Sequence, residues 1–256
     1  MFKLSILQRM TLTALMIAFY MVSTRFIMVP VTPYVRLSAG VAILIFSSIL
    51  LGPISGAVIG IAGDLIGIAI SPYLGMAYNP FMTISYGLMG ATPGLIMILF
   101  RKIKAKDLIY SILFFVLLGA IVVSLTVYMV TANEVELFNH VFKFNLAARI
   151  VVPIIATLLM GLFGLFTYLL NKRFKKRREE YPNLPSPYQV SFIVVVIEVV
   201  FTLFINVFCK MWLMEIKSFE LIFFPSLFIA FIYLPVNTLI VTYLCLLAAK
   251  VVRVRE

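Results

Sequence analysis

The chain has 256 residues, 63% of them hydrophobic and 12% charged, with a formal net charge of +11 and a mean hydropathy of +1.13. A soluble domain carries about a quarter charged residues. Apolar runs recur along the whole length here, which excludes a soluble domain with one anchor and describes an all-α, polytopic membrane bundle. Barrel strands are excluded because the runs are too long and do not alternate.

Eight apolar segments follow one another at about 10–30, 37–51, 53–71, 81–100, 107–131, 147–170, 189–209 and 221–249. The first follows Lys3 and Arg9 and has no small-residue cleavage site, so it reads as a membrane helix and not as a removed signal. The link after it, MVPVTPYVR, is held extended by its prolines. Arg25 and Arg36 flank this link, each expected either to snorkel to the interface or to capture an anionic solute. The second segment is short for a span of about 20 residues. Gly52-Pro53 breaks it from the third, and the two read as a tight helical hairpin.

Within the third segment Gly56, Gly60, Asp64 and Gly67 share one side, by steps of four, four and three. Glycines at that spacing admit a second helix backbone. Asp64 is an ionisable group at membrane depth, which calls for a ligand, a coupled ion or a hydrogen-bond partner on a neighbouring helix. The loop SPYLGMAYNPF at 71–81 has the aromatic, Gly and Pro content of an ordered lid. In the seventh segment Ser191, Glu198, Thr202 and Asn206 form a polar stripe, expected to face a cavity or a partner helix. Asn206, nearer the outer end, is the better ligand candidate of the four. The polar link at 171–189, with three prolines, reads as a cytoplasmic loop and as the best internal boundary.

With the N-terminus inside, fifteen of the 21 Lys and Arg fall in inner loops and six outside, a positive-inside split that supports an even number of spans and cytoplasmic termini. The positive charge is thus mainly a topology signal. Dispersed among short loops, it does not form the basic face that nucleic acid requires. The run at 172–178 is suited to anionic lipid headgroups of the bilayer. No phosphate loop, GxSxG elbow or HExxH motif occurs, and an enzyme is a poor reading. His140 is the single histidine, which excludes a histidine-rich metal site. Cys209 and Cys245 lie in apolar stretches as packing thiols.

The pattern Gly52-Pro53, Gly56, Gly60, Asp64, Gly67 resembles the second-to-third helix hairpin of the substrate-binding S components of energy-coupling-factor (ECF) vitamin transporters. TALMIAFYMVSTRF, with Ala14 and Ala18 four apart, is similar to their AxxxA first helix. RLSAGVAILIFSSILLG resembles their second helix and NPFMTISYGLMGATPGLIMILF their fourth. FTLFINVFCKMWL and IYLPVNTLIVTYLCLL are similar to the last two helices of the folate-specific branch, the closest by these motifs. The pantothenate branch shares the hairpin motif.

The resemblance implies a six-helix core over residues 1–100 and 188–256, with two added helices in 101–187. It implies a folate pocket near the outer face, assigned to Arg36, Asp64, Tyr73, Asn79, Phe81, Tyr86, Asn206 and Trp212. Asp64 would accept from a pterin ring and Arg36 would pair with a glutamate carboxylate. Ala14, Ala18, Gly52, Gly56 and Gly60 would face a transmembrane coupling subunit, which works with two cytoplasmic ATPases. The chain itself would need no cofactor, since ATP is used by those partners, and it would sit in a bacterial plasma membrane. The rival from another class is an ion-coupled secondary transporter using Asp64 and Glu198.

Overall fold

The computed structural model describes residues 5–30, 36–70, 78–103, 107–131, 134–137, 140–143, 145–182, 184–214 and 219–253. Seven helical passes are long and apolar enough to cross a membrane, and an eighth, shorter helix at Gly40–Leu51 completes the bundle. The helices are α1 (Ile6–Met21), α2 (Gly40–Leu51), α3 (Pro53–Ile70), α4 (Pro80–Ile103), α5 (Asp107–Thr131), α6 (Leu146–Glu180), α7 (Pro187–Val196), α8 (Asn206–Met214) and α9 (Glu220–Arg253). A π-helical stretch, Ile197–Ile205, joins α7 to α8 in one pass, and a π-helical turn, Val22–Phe26, extends α1. Eight passes return the chain to the end of the bundle where it began.

The proline-bearing link after α1 contributes to a small antiparallel hairpin. Strand β1 (Met28–Pro30) pairs with β2 (Arg36–Ser38), with Pro30 opposite Arg36. A second hairpin, β3 (Glu134–Leu137) with β4 (His140–Lys143), joins α5 to α6. The apolar pattern gives no sign of either, because each is a few residues long.

The basic link at 171–189 is not a loop throughout. Helix α6 runs on through it to Glu180. Lys, Arg and Glu are good helix formers, and the first proline of the link stands only at position 182. The extension is fastened where Arg178 donates to Asp107, the first residue of α5, through two nitrogens. Two matching capping boxes start passes at this same end. Ser5 Oγ accepts from Gln8 N–H at 3.2 Å, and Ser186 Oγ accepts from Gln189 N–H at 3.2 Å.

Helix α2 is short because it is central. Gly40, Ala42 and every residue from Leu44 to Leu51 are buried, so it meets protein on all sides and need not span lipid. Gly52 ends it with a φ of 102°, a value that suits glycine, and Pro53 opens α3 directly. Helices α1, α2 and α4 surround α3. Helix α9 packs on α2 and α7, while α5 and α6 pack on each other and against α7.

The closest approach is between α3 and α4. A Cβ added at Gly56 would fall inside contact distance of the Gly90 carbonyl oxygen, and one at Gly60 inside that of Tyr86. At the far end of the seam a Cβ at Gly94 would meet Pro53 N at 2.7 Å. Gly56 and Gly90 face each other, Gly60 meets the Tyr86–Gly87 backbone and Gly94 that of Pro53, the small-residue packing that drives helix association in lipid. Pro93 has no N–H to give α4, and the next one, of Gly94, is directed to Ser48 Oγ on α2 at 2.9 Å. Gly56 and Gly60, expected to face a partner subunit, thus spend their close approach on α4, because backbone already occupies the space beside them.

Gly119 and Gly161 supply an internal control, with nothing within 4 Å of an added Cβ. Gly56→Ala and Gly60→Ala are expected to destabilise by about 1–3 kcal/mol. Gly119→Ala and Gly161→Ala should be neutral, or stabilising by up to ~1 kcal/mol. Thermal unfolding of the four purified variants in one detergent checks the contrast.

Candidate functional site

One group of buried polar side chains lies at the end that carries β1–β2 and the first turns of α4. Asp64 reaches that end from α3 and is 5% exposed. Its Oδ2 accepts from Thr83 Oγ1 on α4 at 2.7 Å. Its Oδ1 lies 3.6 Å from Arg25 Nη2, and the Arg25 side chain is itself 10% exposed.

The glycine stripe around Asp64 makes this possible. A Cβ at Gly67 would meet Arg25 Nε at 2.7 Å, and one at Gly63 would enter the Tyr20 ring. Each glycine of α3 therefore has its own filler: backbone at Gly56 and Gly60, an aromatic ring at Gly63, a guanidinium at Gly67. Arg25, for which snorkelling was one expectation, turns into the bundle to face the carboxylate. Asp64 faces protein partners through both oxygens, and together the three residues tie the π-turn after α1, α3 and α4.

A second tie follows one step along α4. Ser85 Oγ donates to Asn206 Oδ1 at 2.8 Å, joining α4 to α8. Thr83 and Ser85 thus engage opposite neighbours, and neither stood out in the sequence, where hydroxyls in an apolar helix carry no direction of their own. Across the bundle the Ser38 N–H donates to the Tyr233 hydroxyl, fastening β2 to α9.

The polar stripe of the seventh segment resolves into separate contacts with three helices. Ser191 and Thr167 on α6 share a hydrogen bond at 3.2 Å. Glu198 Oε1 accepts from Asn237 Nδ2 on α9 at 2.9 Å. Asn206 meets Ser85 as above. That the stripe forms one inward face was legible from spacing; the partner helices and residues were not.

Among the remaining expected site residues, Asn79 caps α4 before Pro80. Its Oδ1 accepts from Phe81 N–H at 2.9 Å, while its buried Nδ2 has no partner among the described residues. Phe81 and Trp212 are exposed and meet edge to face, with ring centroids 5.0 Å apart. Tyr86 is half-buried, with its carbonyl against Gly60. Tyr73 and the Arg36 side chain lie outside the described residues. The structure therefore brings Asn79, Phe81, Trp212 and Asn206 to one end, around α4 and α8. Asp64 lies on the other side of α4, with Thr83 between. Among the described residues no three acidic, Cys or His side chains come together as a metal site.

Residues 3–162 match the family model described as ECF-type riboflavin transporter, S component. The match takes in α1 to α5 and the first half of α6, including residues that the resemblance to the folate branch set apart. No curated protein and no solved structure gives a significant match.

Breaking a buried ion pair by removing one partner is costly, because the remaining charge stays buried. Asp64→Asn is expected to cost about 3 kcal/mol and Arg25→Leu a comparable amount. The double variant Arg25→Leu/Asp64→Leu should recover most of that loss. Melting temperatures of the two single variants and the double variant test the coupling.

Proposed function

Because the chain belongs to the ECF-type riboflavin transporter S-component family, and is thereby the vitamin-binding membrane subunit of such a transporter, we propose that its substrate is riboflavin, an uncharged planar heteroaromatic vitamin. The family match carries this reading. The geometry of Asp64 supports it over folate. A pterin would draw on a free carboxylate, whereas both Asp64 oxygens already face Thr83 and Arg25 within the chain. An uncharged ring system has no need of such a carboxylate.

The binding end is the one that holds Asn79, Phe81, Asn206 and Trp212. The exposed Phe81–Trp212 pair offers aromatic edges and faces for a flat ring, and the unpartnered Asn79 amide offers a buried donor. This end faces the outside and the termini face the cytoplasm, by the distribution of Lys and Arg. The chain has no phosphate loop of its own. It works with the coupling subunit and ATPases of an ECF module, and ATP is consumed there. Docking to the coupling subunit uses α1, where Ala14 and Ala18 are exposed, together with the outward side of α3 at Ile54, Val58 and Ile61. Small side chains and unencumbered apolar surface let two helices slide with little rotamer cost. Helices α5 and α6 form a lateral wall over α7, and Leu125 and Ala156 of that pair reach Leu203 of the π-helical stretch.

Folate remains the second reading, favoured by the likeness of residues 201–213 and 232–247 to the last two helices of the folate branch, beyond the residues that the family model matches. Calorimetry of the purified protein with riboflavin, folate, pantothenate and thiamine decides between them, and Trp212 fluorescence reports on the same end of the bundle. Tight one-to-one riboflavin binding without folate binding is expected. Asn79→Ala should weaken it about tenfold, the worth of roughly one hydrogen bond. Tight folate binding overturns the substrate assignment, and loss of all vitamin binding overturns the assignment of the site.

A further inference from the structure

Glu198 lies near the middle of the pass Pro187–Trp212 and is fully buried, with 0% exposure. Two neutral side chains reach it: Asn237, whose Nδ2 donates to Oε1 at 2.9 Å, and the neighbouring Thr202 hydroxyl. Among the described residues, three oxygens in this seam complete no well-formed hydrogen bond: Glu198 Oε2, Asn237 Oδ1 and Thr202 Oγ1. Beside Glu198 lies a cavity with room for about one water, and its other walls are apolar, among them Ile121 of α5, Met160 of α6, Leu203 and Phe231. Tyr233, the titratable group one turn before Asn237 on α9, has its hydroxyl engaged by Ser38. The facing wall residues of α5 and α6 carry no charge.

An ionised carboxylate in these surroundings would be a buried charge without a cation, and burying it is expensive. Its free oxygen and that of Asn237 are both acceptors, and an ionised carboxylate offers neither of them a donor. A carboxylic acid and a primary amide, by contrast, are complementary planar forks. With N–H···Oε1 already made, one proton on Oε2 supplies the donor that the orphan Asn237 Oδ1 lacks, and both atoms are satisfied together. We infer that Glu198 and Asn237 form a proton-binding site, in which a neutral carboxylic acid closes a two-bond ring with the amide and locks the π-helical stretch to α9. The wall of α5 and α6 keeps water and cations away from that ring. The site is independent of which vitamin the protein carries.

Glu198→Gln tests it, because a glutamine amide reproduces the ring without any proton to gain or lose and cannot neutralise a cation. The full-length protein in detergent is used, with infrared spectroscopy and thermal unfolding as readouts. At neutral pH the wild type should show a protonated carboxyl C=O band that Glu198→Gln lacks. Glu198→Gln should melt within about 2 °C of the wild type, while Glu198→Leu and Asn237→Leu, which each orphan the partner, should lose about 4 °C or more. A wild type without the acid band overturns the site, since a trapped water or cation would then be stabilising an ionised group. So does a Glu198→Gln that melts as low as Glu198→Leu. Stabilisation by sodium chloride over choline chloride, present in the wild type and absent in Glu198→Gln, overturns it in favour of a cation site.

Discussion

Helices α3 and α4 approach until backbone lies on backbone at Gly56 and Gly90, and the polar arrangement around Asp64 and Thr83 depends on that approach. Lipid supplies little hydrophobic drive for two apolar helices to associate, so close packing and interhelical hydrogen bonds must do it. The glycine seam gives the packing. By bringing the two axes together it also lets the short Asp64 side chain reach Thr83 at 2.7 Å. Without the seam, a carboxylate two bonds from its backbone would fall short of α4 and stay unpaired in hydrocarbon. The glycines at 63 and 67 extend the same logic sideways, admitting Tyr20 and the Arg25 guanidinium where side chains would exclude them.

Polar groups inside this bundle are used one to a seam. Asp64 joins α3 to α4 and to the turn after α1, Ser85 and Asn206 join α4 to α8, and Ser191 with Thr167 joins α7 to α6. Each contact satisfies a group that would otherwise be costly at membrane depth. Such contacts also fix which face of a helix meets which neighbour, something that aliphatic packing alone specifies weakly. The same economy bears on function. A carboxylate committed to an intramolecular ion pair is a poor anchor for a ligand, and in the proposed reading recognition falls to the amide of Asn79 and the Phe81–Trp212 pair.

The π-helical stretch within the seventh pass belongs to this picture. A π-helix turns successive side chains by less than an α-helix does, and it occurs often at functional sites. Here it spans the residues that present Glu198 to α9, and Asn206 begins the α-helix that follows. Leu125 of α5 and Ala156 of α6 pack against its Leu203, while Val200 and Phe204 stay exposed.

Much of this was legible in the chain. Hydropathy marks the passes because a spanning helix must be apolar along its length, and the Lys and Arg split gives an even count. The spacing of Gly56, Gly60, Asp64 and Gly67 shows a shared face, and that face is buried. The stripe from Ser191 to Asn206 likewise shows a direction, and the hairpin motif leads to the ECF S components. What spacing cannot show is who stands opposite. A period of four is the same whether a glycine faces a partner subunit or the next helix of its own chain, and only the packing assigned Gly56 and Gly60 to α4. Asp64 found Arg25 and Thr83, and Glu198 found Asn237, across separations of 39, 19 and 39 residues, and nothing local in the sequence couples such pairs. Local pattern determines helix, depth and face. Partner and commitment belong to the tertiary structure, because the contacts that decide them exist only once all the helices are in place.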